Sequence, residues 1–246
     1  MYEYHGNKGS RRQQEIKKPL TLYRAGGFLF ISCRRYQTDH LQIYSGGVRV
    51  LNVQLGINIV AGTGSIAFGK NEYDETARCG GWSEWFSDEG SGYWLGMKCV
   101  QLFSRQADGR DECGPLYEIV KQELNLSVDE EIIDLFETEY LHKRDKIASL
   151  QRLLLKAANE GDRYAVAAYE GAAKELFDLI NGVKKKIFAN TSCMVSYSGG
   201  IFNVGDLIKK PLIKLLQDKG MELTEGKAEP YVGAMLLAKY YEKKEV

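Results

Sequence analysis

Two short apolar runs, residues 57–61 and residues 66–69, predict a pair of neighbouring β-strands. Between them stands the tetrapeptide Gly-Thr-Gly-Ser at positions 62–65, whose glycines favour a tight turn. A strand, a glycine turn bearing hydroxyls and a returning strand is a pattern that suits phosphate, because glycine lets backbone N–H groups approach an anion closely. A plain glycine hairpin is the alternative interpretation of the same residues.

From residue 88 onward the apolar residues recur at three- and four-residue spacing, which predicts helices. The clearest of them runs from Asp162 to Ile187 and keeps one apolar stripe toward a core. A strand over 192–196, a helix over 204–217 and a final helix over 230–242 complete the predicted order. A strand hairpin, a helical insert and then alternating strands and helices predict an α/β domain with a helical subdomain.

The composition of the 246-residue chain is that of a globular protein, with 44% hydrophobic residues, 27% charged residues and a formal net charge of zero. This balance provides no bulk attraction to nucleic acid or to an anionic membrane, so the expected partner is a small molecule. No run approaches the roughly 18 apolar residues that a membrane-spanning helix needs, and the polar start of the chain lacks the apolar centre of a signal peptide. A cytoplasmic protein is therefore expected.

The five cysteines include no close pair and no C-x-x-C motif, and an odd count favours reduced thiols over a disulfide framework. We expect each of them to be a buried core residue. The three histidines are scattered among polar residues and are expected at the surface. No metal site built from protein side chains alone is predicted.

The start of the chain differs from the rest in charge. Residues 1–50 hold nine Lys and Arg against three Asp and Glu, which marks a boundary. Residues 27–32 read as a plausible strand, and residues 41–53 are a weaker candidate. A nucleic-acid-binding arm is an alternative interpretation, but the aromatic residues are not interleaved with the basic ones in a binding pattern.

A turn-rich segment over residues 80–94 combines glycines, tryptophans and two adjacent acids, a mixture that no ordinary helix or strand needs. Core packing is the expectation for Trp94, whereas Trp82 lies between glycines and polar residues and is expected outside the core. Further along, Ser-Gly-Gly at 198–200 ends another apolar strand.

Taken in this order, the Gly-Thr-Gly-Ser turn, the Gly-Gly-Trp…Asp-Glu-Gly-Ser segment and the Ser-Gly-Gly turn resemble the N-acetylglucosamine kinases and the BadF/BadG/BcrA/BcrD ATPases. Both groups belong to the superfamily of sugar kinases, Hsp70 and actin. The resemblance covers roughly residue 56 to the C-terminus. It implies an α/β, ribonuclease H-like (actin-like ATPase) C-terminal domain, an ATP molecule held between two such domains, and Mg²⁺ bridging the phosphates.

The resemblance also implies roles for individual residues. The sugar would be bound by Gly81, Trp82 and Asp88, and ATP by Gly62, Thr63, Gly64, Ser65, Gly161, Gly199 and Gly200. Asp88 would accept hydrogen bonds from sugar hydroxyls, and Gly199 and Gly200 would pack against adenine and ribose. Gly161 would close the other side of the adenine pocket, although a glycine that ends a helix explains this position equally well. No residue is assigned as catalytic base or metal ligand.

Two motifs of the resembled family are missing from the first 55 residues, namely the Asp-Gly-Gly-Gly-Thr phosphate hairpin and the aspartate that acts as base. Residues 1–55 are therefore predicted to be an atypical leader, through truncation or a frameshift, in place of most of the N-terminal ATPase domain. Residues 56–246 are predicted to form the C-terminal domain, with a helical insert over 95–190. Because phosphoryl transfer needs both walls of the cleft, little or no kinase activity is expected of the chain as written.

The function that the resemblance implies is an ATP-dependent sugar kinase acting on N-acetylglucosamine or a related amino sugar. An activator-type ATPase with an iron–sulfur cluster is an alternative, but no cysteine directly follows the Gly-Thr-Gly-Ser turn to hold a cluster. A non-catalytic remnant that binds nucleotide or sugar is a third interpretation. The sequence leaves open which sugar and hydroxyl react and whether the protein is a homodimer.

Overall fold

The computed structural model describes residues 21–25, 28–32, 55–189 and 191–226. Its strands are β1 (Thr21–Ala25), β2 (Phe28–Ser32), β3 (Gly56–Ala61), β4 (Ser65–Lys70), β5 (Thr76–Gly80), β6 (Cys193–Ser198) and β7 (Met221–Glu225). The strand predicted over 27–32 is confirmed as β2, which pairs with β1 in an antiparallel hairpin. The strand candidate over 41–53 and the helix predicted over 230–242 lie outside the described residues.

Strands β3 to β7 form one mixed sheet with the order β5-β4-β3-β6-β7. β3, β4 and β5 are antiparallel neighbours because short turns connect them. β6 runs parallel to β3, and β7 runs parallel to β6. Parallel pairing needs a long crossover, which helices supply in both cases. The carboxyl ends of β3 and β6 consequently meet at one edge of the sheet, and a glycine turn follows each of them.

The helices are α1 (Gly92–Ala107), α2 (Pro115–Glu123), α3 (Glu131–Leu135), α4 (Arg144–Ser149), α5 (Gln151–Asn159), α6 (Arg163–Ile187) and α7 (Asp206–Gln217). A π-helical turn, Phe136–Tyr140, follows α3, and a 3₁₀ turn, Gly200–Val204, precedes α7. Helices α1 to α6 all lie between β5 and β6, so they form the helical insertion of the fold. Within the described residues, no helix combines the length and apolar character needed to cross a membrane.

Helix α6 confirms the clearest helical prediction of the sequence. Asp162 is its N-cap, since Oδ1 accepts hydrogen bonds from the amides of Tyr164 (3.0 Å) and Ala165 (2.9 Å). The helix packs against β3, β4, β5 and α7. Its buried stripe includes Ala165, Ala168, Tyr169, Ala172, Leu176, Ile180 and Val183. Burying each large apolar side chain is worth about 1.5–3 kcal/mol, so this stripe fastens the helical insertion to the sheet.

Strand β3 is the central strand, and every one of its residues is buried. The one polar side chain among them, Asn58, donates from Nδ2 to the hydroxyl of Ser196 on β6 at 2.9 Å. This bond ties together the two strands that carry the glycine turns. The site edge of the sheet is therefore built on a rigid, fully packed pair of strands.

Four cysteines lie in the described part of the chain, and none of the four forms a disulfide. Cys99 and Cys193 are buried and Cys79 is half-buried, but Cys113 is exposed. The expectation of a buried core residue is therefore wrong for Cys113, because it lies in the connection between α1 and α2 rather than on a packed face. Burial raises the pKa of the Cys99 thiol to about 12, so that residue is an inert core side chain.

Candidate functional site

A cleft of about 530 Å³ opens beside the carboxyl ends of β3 and β6. Its walls are the turn after β3, the start of α1, α4 with the first part of α5, and the 3₁₀ turn after β6. The lining residues are Gly62, Thr63, Gly92, Asp145, Ala148, Ser149, Gln151, Arg152, Leu155, Gly200, Ile201, Asn203 and Val204. Two glycine turns that the sequence singles out, far apart along the chain, therefore meet across one cavity.

The turn over residues 62–65 is held by backbone hydrogen bonds from the start of α1. The amide of Gly92 donates to the Gly62 carbonyl at 2.8 Å, and the amide of Tyr93 donates to the Thr63 carbonyl at 3.2 Å. The turn consequently lies at the N-terminus of a 16-residue helix, where the helix dipole carries partial positive charge. An anion in the cleft would be stabilised by this charge.

Two amides of the same turn are already engaged within the protein. The Gly62 amide donates to the Gly64 carbonyl at 2.9 Å, and the Ser65 amide donates to Oδ1 of Asp88 at 3.2 Å. The Ser65 hydroxyl also donates to the Glu89 carbonyl at 2.7 Å. Ser65 therefore ties the turn to the segment that follows β5, while Gly62 and Thr63 are the turn residues that line the cleft.

Gly64 has no room for a side chain because the guanidinium of Arg144, which is nearest, and the carboxylate of Asp88 both lie against it. A Cβ at this position would stand 2.8 Å from each of the two carboxylate oxygens. The second glycine of the turn is thus required by close packing, whereas a Cβ on Gly62 would meet no atom within 4 Å. The turn and the acid, which the resemblance assigns to different ligands, form one structural unit.

Asp88 is a buried carboxylate, with 3% of its surface exposed, in the left-handed backbone region at φ 66°. Aspartate tolerates this conformation better than most residues. Oδ2 forms an ion pair with the guanidinium of Arg144, the first residue of α4. Burial raises the pKa of Asp88, while the charge of Arg144 and the Ser65 amide oppose that rise. Glu84 adds a smaller repulsion that raises it further.

Trp82 lies at the surface, with 70% of its area exposed. The guanidinium of Arg78 stacks 4.4 Å above the centre of its ring. Trp85 and Phe86 are also exposed, by 64% and 73%, and the His142 ring meets the edge of Trp85 at a centroid distance of 5.7 Å. Trp94, by contrast, packs against the core as expected. The segment therefore presents aromatic faces outward while it buries its acid.

The two glycines after β6 have different structural roles. Gly199 has φ 106°, and a Cβ there would stand 3.0 Å from the Ala61 nitrogen and closer still to the Ala61 carbonyl group. Gly200 lines the cleft, and a Cβ there would meet no atom within 4 Å. Gly199 is needed for the close approach of β6 to β3, whereas Gly200 leaves open space in the cavity.

Gly161 lies in the short turn between α5 and α6, with φ 86°. It does not line the described cleft, whose α5 wall is formed by Gln151, Arg152 and Leu155 near the opposite end of that helix. The next residue, Asp162, accepts a hydrogen bond from the Leu116 amide of α2 at 3.0 Å. The structure shows a glycine at the helix end here, with a left-handed φ, and the adenine contact implied by the resemblance stays a prediction.

Sequence reasoning did not single out several residues that the fold brings to the site. Arg144 pairs with Asp88 across 56 residues of chain, and Asp145, Arg152 and Asn203 line the cleft. None of these four residues belongs to a short motif that the sequence analysis singles out. Only the packing of α4, α5 and the 3₁₀ turn around the cleft reveals them.

The cleft suits a nucleotide with its metal. Thr63 offers donors at one wall, and open space faces Gly200 at the other. The described residues contain no cluster of three or more His, Cys, Asp or Glu side chains that could hold a metal alone. Mg²⁺ bound to a nucleotide needs fewer protein ligands, since phosphate and water oxygens supply most of its coordination. Asp145 is a cleft-lining carboxylate that fits as a further ligand.

A three-stranded meander is followed by two parallel strands, with helices inserted between β5 and β6 and a glycine turn at the sheet edge. This arrangement defines an α/β, actin-like ATPase fold. The chain belongs to the BadF/BadG/BcrA/BcrD ATPase family, whose sequence model matches residues 35–238. The match begins at residue 35, whereas the resemblance of the three motifs begins only near residue 56. The family membership expected from those motifs is thereby confirmed.

Two curated relatives are kinases of amino sugars. The chain is 33% identical over 149 residues to the N-acetylmuramic acid/N-acetylglucosamine kinase of Clostridium acetobutylicum, covering 60% of this chain and 48% of the relative. It is 29% identical over 190 residues to the N-acetyl-D-glucosamine kinase of Dictyostelium discoideum, covering 74% and 59%. The chain thus spans about half to three fifths of the length of these relatives.

A solved structure shares the fold. It is that of a protein from Chromobacterium violaceum, provisionally described as an N-acetylglucosamine kinase. The TM-score is 0.64 at 25% sequence identity, and the superposition covers 78% of this chain and 64% of the other.

Proposed function

We propose that this chain binds ATP in the described cleft and an amino sugar beside Asp88. The reaction that these two sites would support is ATP-dependent phosphorylation of N-acetylglucosamine or a closely related sugar. The observation that carries the proposal is the hydrogen bond from the Ser65 amide to the Asp88 carboxylate. It joins the sugar-binding acid of the motif directly to the phosphate turn. Donor and acceptor of a phosphoryl group would thereby be held side by side.

The nucleotide end of the proposal rests on the two walls of the cleft. Thr63, with its amide and hydroxyl, lies at the N-terminus of α1, which suits the phosphates. Gly200 leaves open space on the opposite wall, which suits the adenine and ribose. Mg²⁺ bound with ATP would neutralise charge on the phosphates, and Asp145 is the residue that would help to hold it.

The sugar end of the proposal rests on Asp88 and on the exposed aromatic side chains of the same sequence segment. An ionised carboxylate can accept hydrogen bonds from two hydroxyl groups of a sugar. Because it cannot donate a hydrogen bond, it favours ligand groups that donate. The exposed ring of Trp82 offers an apolar face of the kind that stacks on a pyranose. The curated relatives named as amino-sugar kinases support this choice of substrate class. A cytoplasmic location is part of the proposal, since free thiols suit a reducing compartment.

The experiment is calorimetric titration of the folded protein with a non-hydrolysable ATP analogue plus Mg²⁺ and, separately, with N-acetylglucosamine. Binding of both ligands, together with ADP release in a coupled assay, supports the kinase. Binding of both without turnover would assign the chain to the non-catalytic alternative. A folded protein that binds neither ligand would overturn the proposal.

A further inference from the structure

Arg144 occupies a position that no motif explains. It is the first residue of the six-residue helix α4, and its guanidinium reaches the buried carboxylate of Asp88. One carboxylate oxygen then faces Arg144 and the other accepts the Ser65 amide, so both oxygens are held by groups from different parts of the fold. The arrangement leaves the carboxylate little freedom to rotate.

The charge balance around this carboxylate depends on Arg144. Asp88 is 4% exposed at its side chain and Arg144 is 30% exposed, so the pair is largely shielded from solvent. The other ionisable groups that interact with Asp88 are Glu84, from its own segment, and the Tyr93 hydroxyl, from α1. Neither carries positive charge. Arg144 is therefore the cationic partner that the described residues give to a carboxylate whose burial favours the neutral form.

The rest of helix α4 explains why this pairing has functional meaning. Ile147 is buried against α1, and Ala148 lines the nucleotide cleft. A residue on this helix that also holds Asp88 connects the wall of the nucleotide cleft to the acid of the sugar motif. An exposed ion pair at the surface would not make this connection, since such pairs contribute little to stability.

We propose that Arg144 is a positioning residue for the sugar-binding carboxylate, fixing Asp88 against the phosphate turn so that it accepts sugar hydroxyls while the same helix lines the nucleotide cleft. This inference rests on the proposed function for the identity of the sugar. The link between Arg144 and Asp88 does not depend on the proposed function, because it can be measured in the protein without ligand.

The test uses Arg144→Gln, Arg144→Lys and the matched control Arg110→Gln, which removes an arginine paired with Asp108 at an exposed site. Thermal unfolding establishes that each variant is folded. The titration of Asp88 is then followed by ¹³C-carboxylate NMR, with the Asp88→Asn spectrum providing the assignment. Affinity for N-acetylglucosamine is measured by calorimetry between about pH 5 and pH 8, around the ordinary range of carboxylate and histidine titration.

In Arg144→Gln the midpoint of the Asp88 titration should rise by about one to three pH units, as expected when an opposite charge is lost at contact distance. Sugar affinity at neutral pH should fall about tenfold or more, and part of the loss should be regained as the pH is raised. Arg110→Gln should leave both quantities unchanged. A merely structural role for Arg144 would lower the unfolding temperature without moving the Asp88 titration.

An unchanged Asp88 titration in folded Arg144→Gln would overturn the inference. If that variant does not fold, Arg144→Lys provides the test. Its charge remains, so the Asp88 titration should stay near that of the wild type. Sugar affinity should fall, because lysine lacks the rigid donor fork of arginine. Wild-type sugar affinity in Arg144→Lys would then overturn it. If the wild-type protein binds no sugar, the proposed function fails, whereas the NMR titration still reports whether Arg144 controls Asp88.

Discussion

The carboxylate of Asp88 lies directly against Gly64, so closely that a methyl group on Gly64 would stand 2.8 Å from both of its oxygens. This contact joins the Gly-Thr-Gly-Ser turn to the acid of the Gly-Gly-Trp segment. A change in either residue must therefore be felt by the other. The two ligands proposed for this protein would therefore be bound by a shared piece of structure.

The variant Asp88→Asn should weaken sugar binding far more than nucleotide binding. Loss of a charge-assisted hydrogen bond typically costs about 1.5–3 kcal/mol, or roughly tenfold to a hundredfold in affinity. Calorimetry with N-acetylglucosamine and with a non-hydrolysable ATP analogue measures both. The matched control is Asp108→Asn, an exposed aspartate paired with Arg110. Equal sugar affinity in wild type and Asp88→Asn would remove this acid from the sugar site.

The variant Gly64→Ala should destabilise the protein, whereas Gly62→Ala in the same turn should not. The added methyl group at residue 64 displaces the Asp88 carboxylate and its partner Arg144, and overpacking of this kind typically costs about 1–3 kcal/mol. At residue 62 the methyl group enters open space. Urea unfolding measures the two free energies. Equal stability of the two variants would show that the contact at Gly64 relaxes freely.

The variants Gly200→Val and Gly199→Ala should fail in different ways. Gly200→Val fills the proposed nucleotide cleft but keeps the fold, because a Cβ at this position meets no atom within 4 Å. Gly199→Ala should unfold at lower temperature, since its φ of 106° strains any side chain and its Cβ meets the Ala61 backbone. Thermal unfolding and ATP-analogue calorimetry distinguish the two outcomes. Unchanged analogue binding by folded Gly200→Val would place the nucleotide elsewhere.

Stability should depend on pH through Asp88 with a definite sign. Burial raises the pKa of Asp88 above its ordinary 3.8, so the folded protein binds this proton more tightly than the unfolded chain does. The stabilisation is complete below pH 3.8 and is lost as the pH rises through the raised pKa. The unfolding free energy of wild type minus that of Asp88→Asn should therefore decrease from about pH 4 to pH 7.

Asp108 supplies the opposite case as a control. The hydrogen bond from Arg110 lowers the pKa of Asp108, so its contribution is present above the ordinary value of 3.8 and is lost as the pH falls through the lowered pKa. The difference between wild type and Asp108→Asn should thus increase with pH in the acidic range. Urea unfolding over a pH series measures how the contributions of Asp88 and Asp108 to the unfolding free energy change with pH. A change of the same sign for the two aspartates would contradict the assigned environments.

Much of the local structure follows from the sequence alone. The apolar runs on either side of residues 62–65 determine the β3–β4 hairpin, since glycine between two apolar strands leaves few other conformations. Asp162 and the apolar stripe behind it determine helix α6, because a capping carboxylate and a 3.6-residue period act within a few turns of the chain. The order of three glycine motifs was also enough to identify the family.

Only the tertiary structure decided how these pieces serve a site. The ion pair of Arg144 with Asp88 spans 56 residues, and no periodicity or motif encodes which charged side chain of a helix will meet a distant acid. The separate roles of Gly199 and Gly200, and the position of Gly161 away from the cleft, likewise depend on which backbone lies across from each glycine. Local patterns specify dihedral angles and the buried face of an element, whereas partners across a cleft are selected by the packing of whole helices on the sheet.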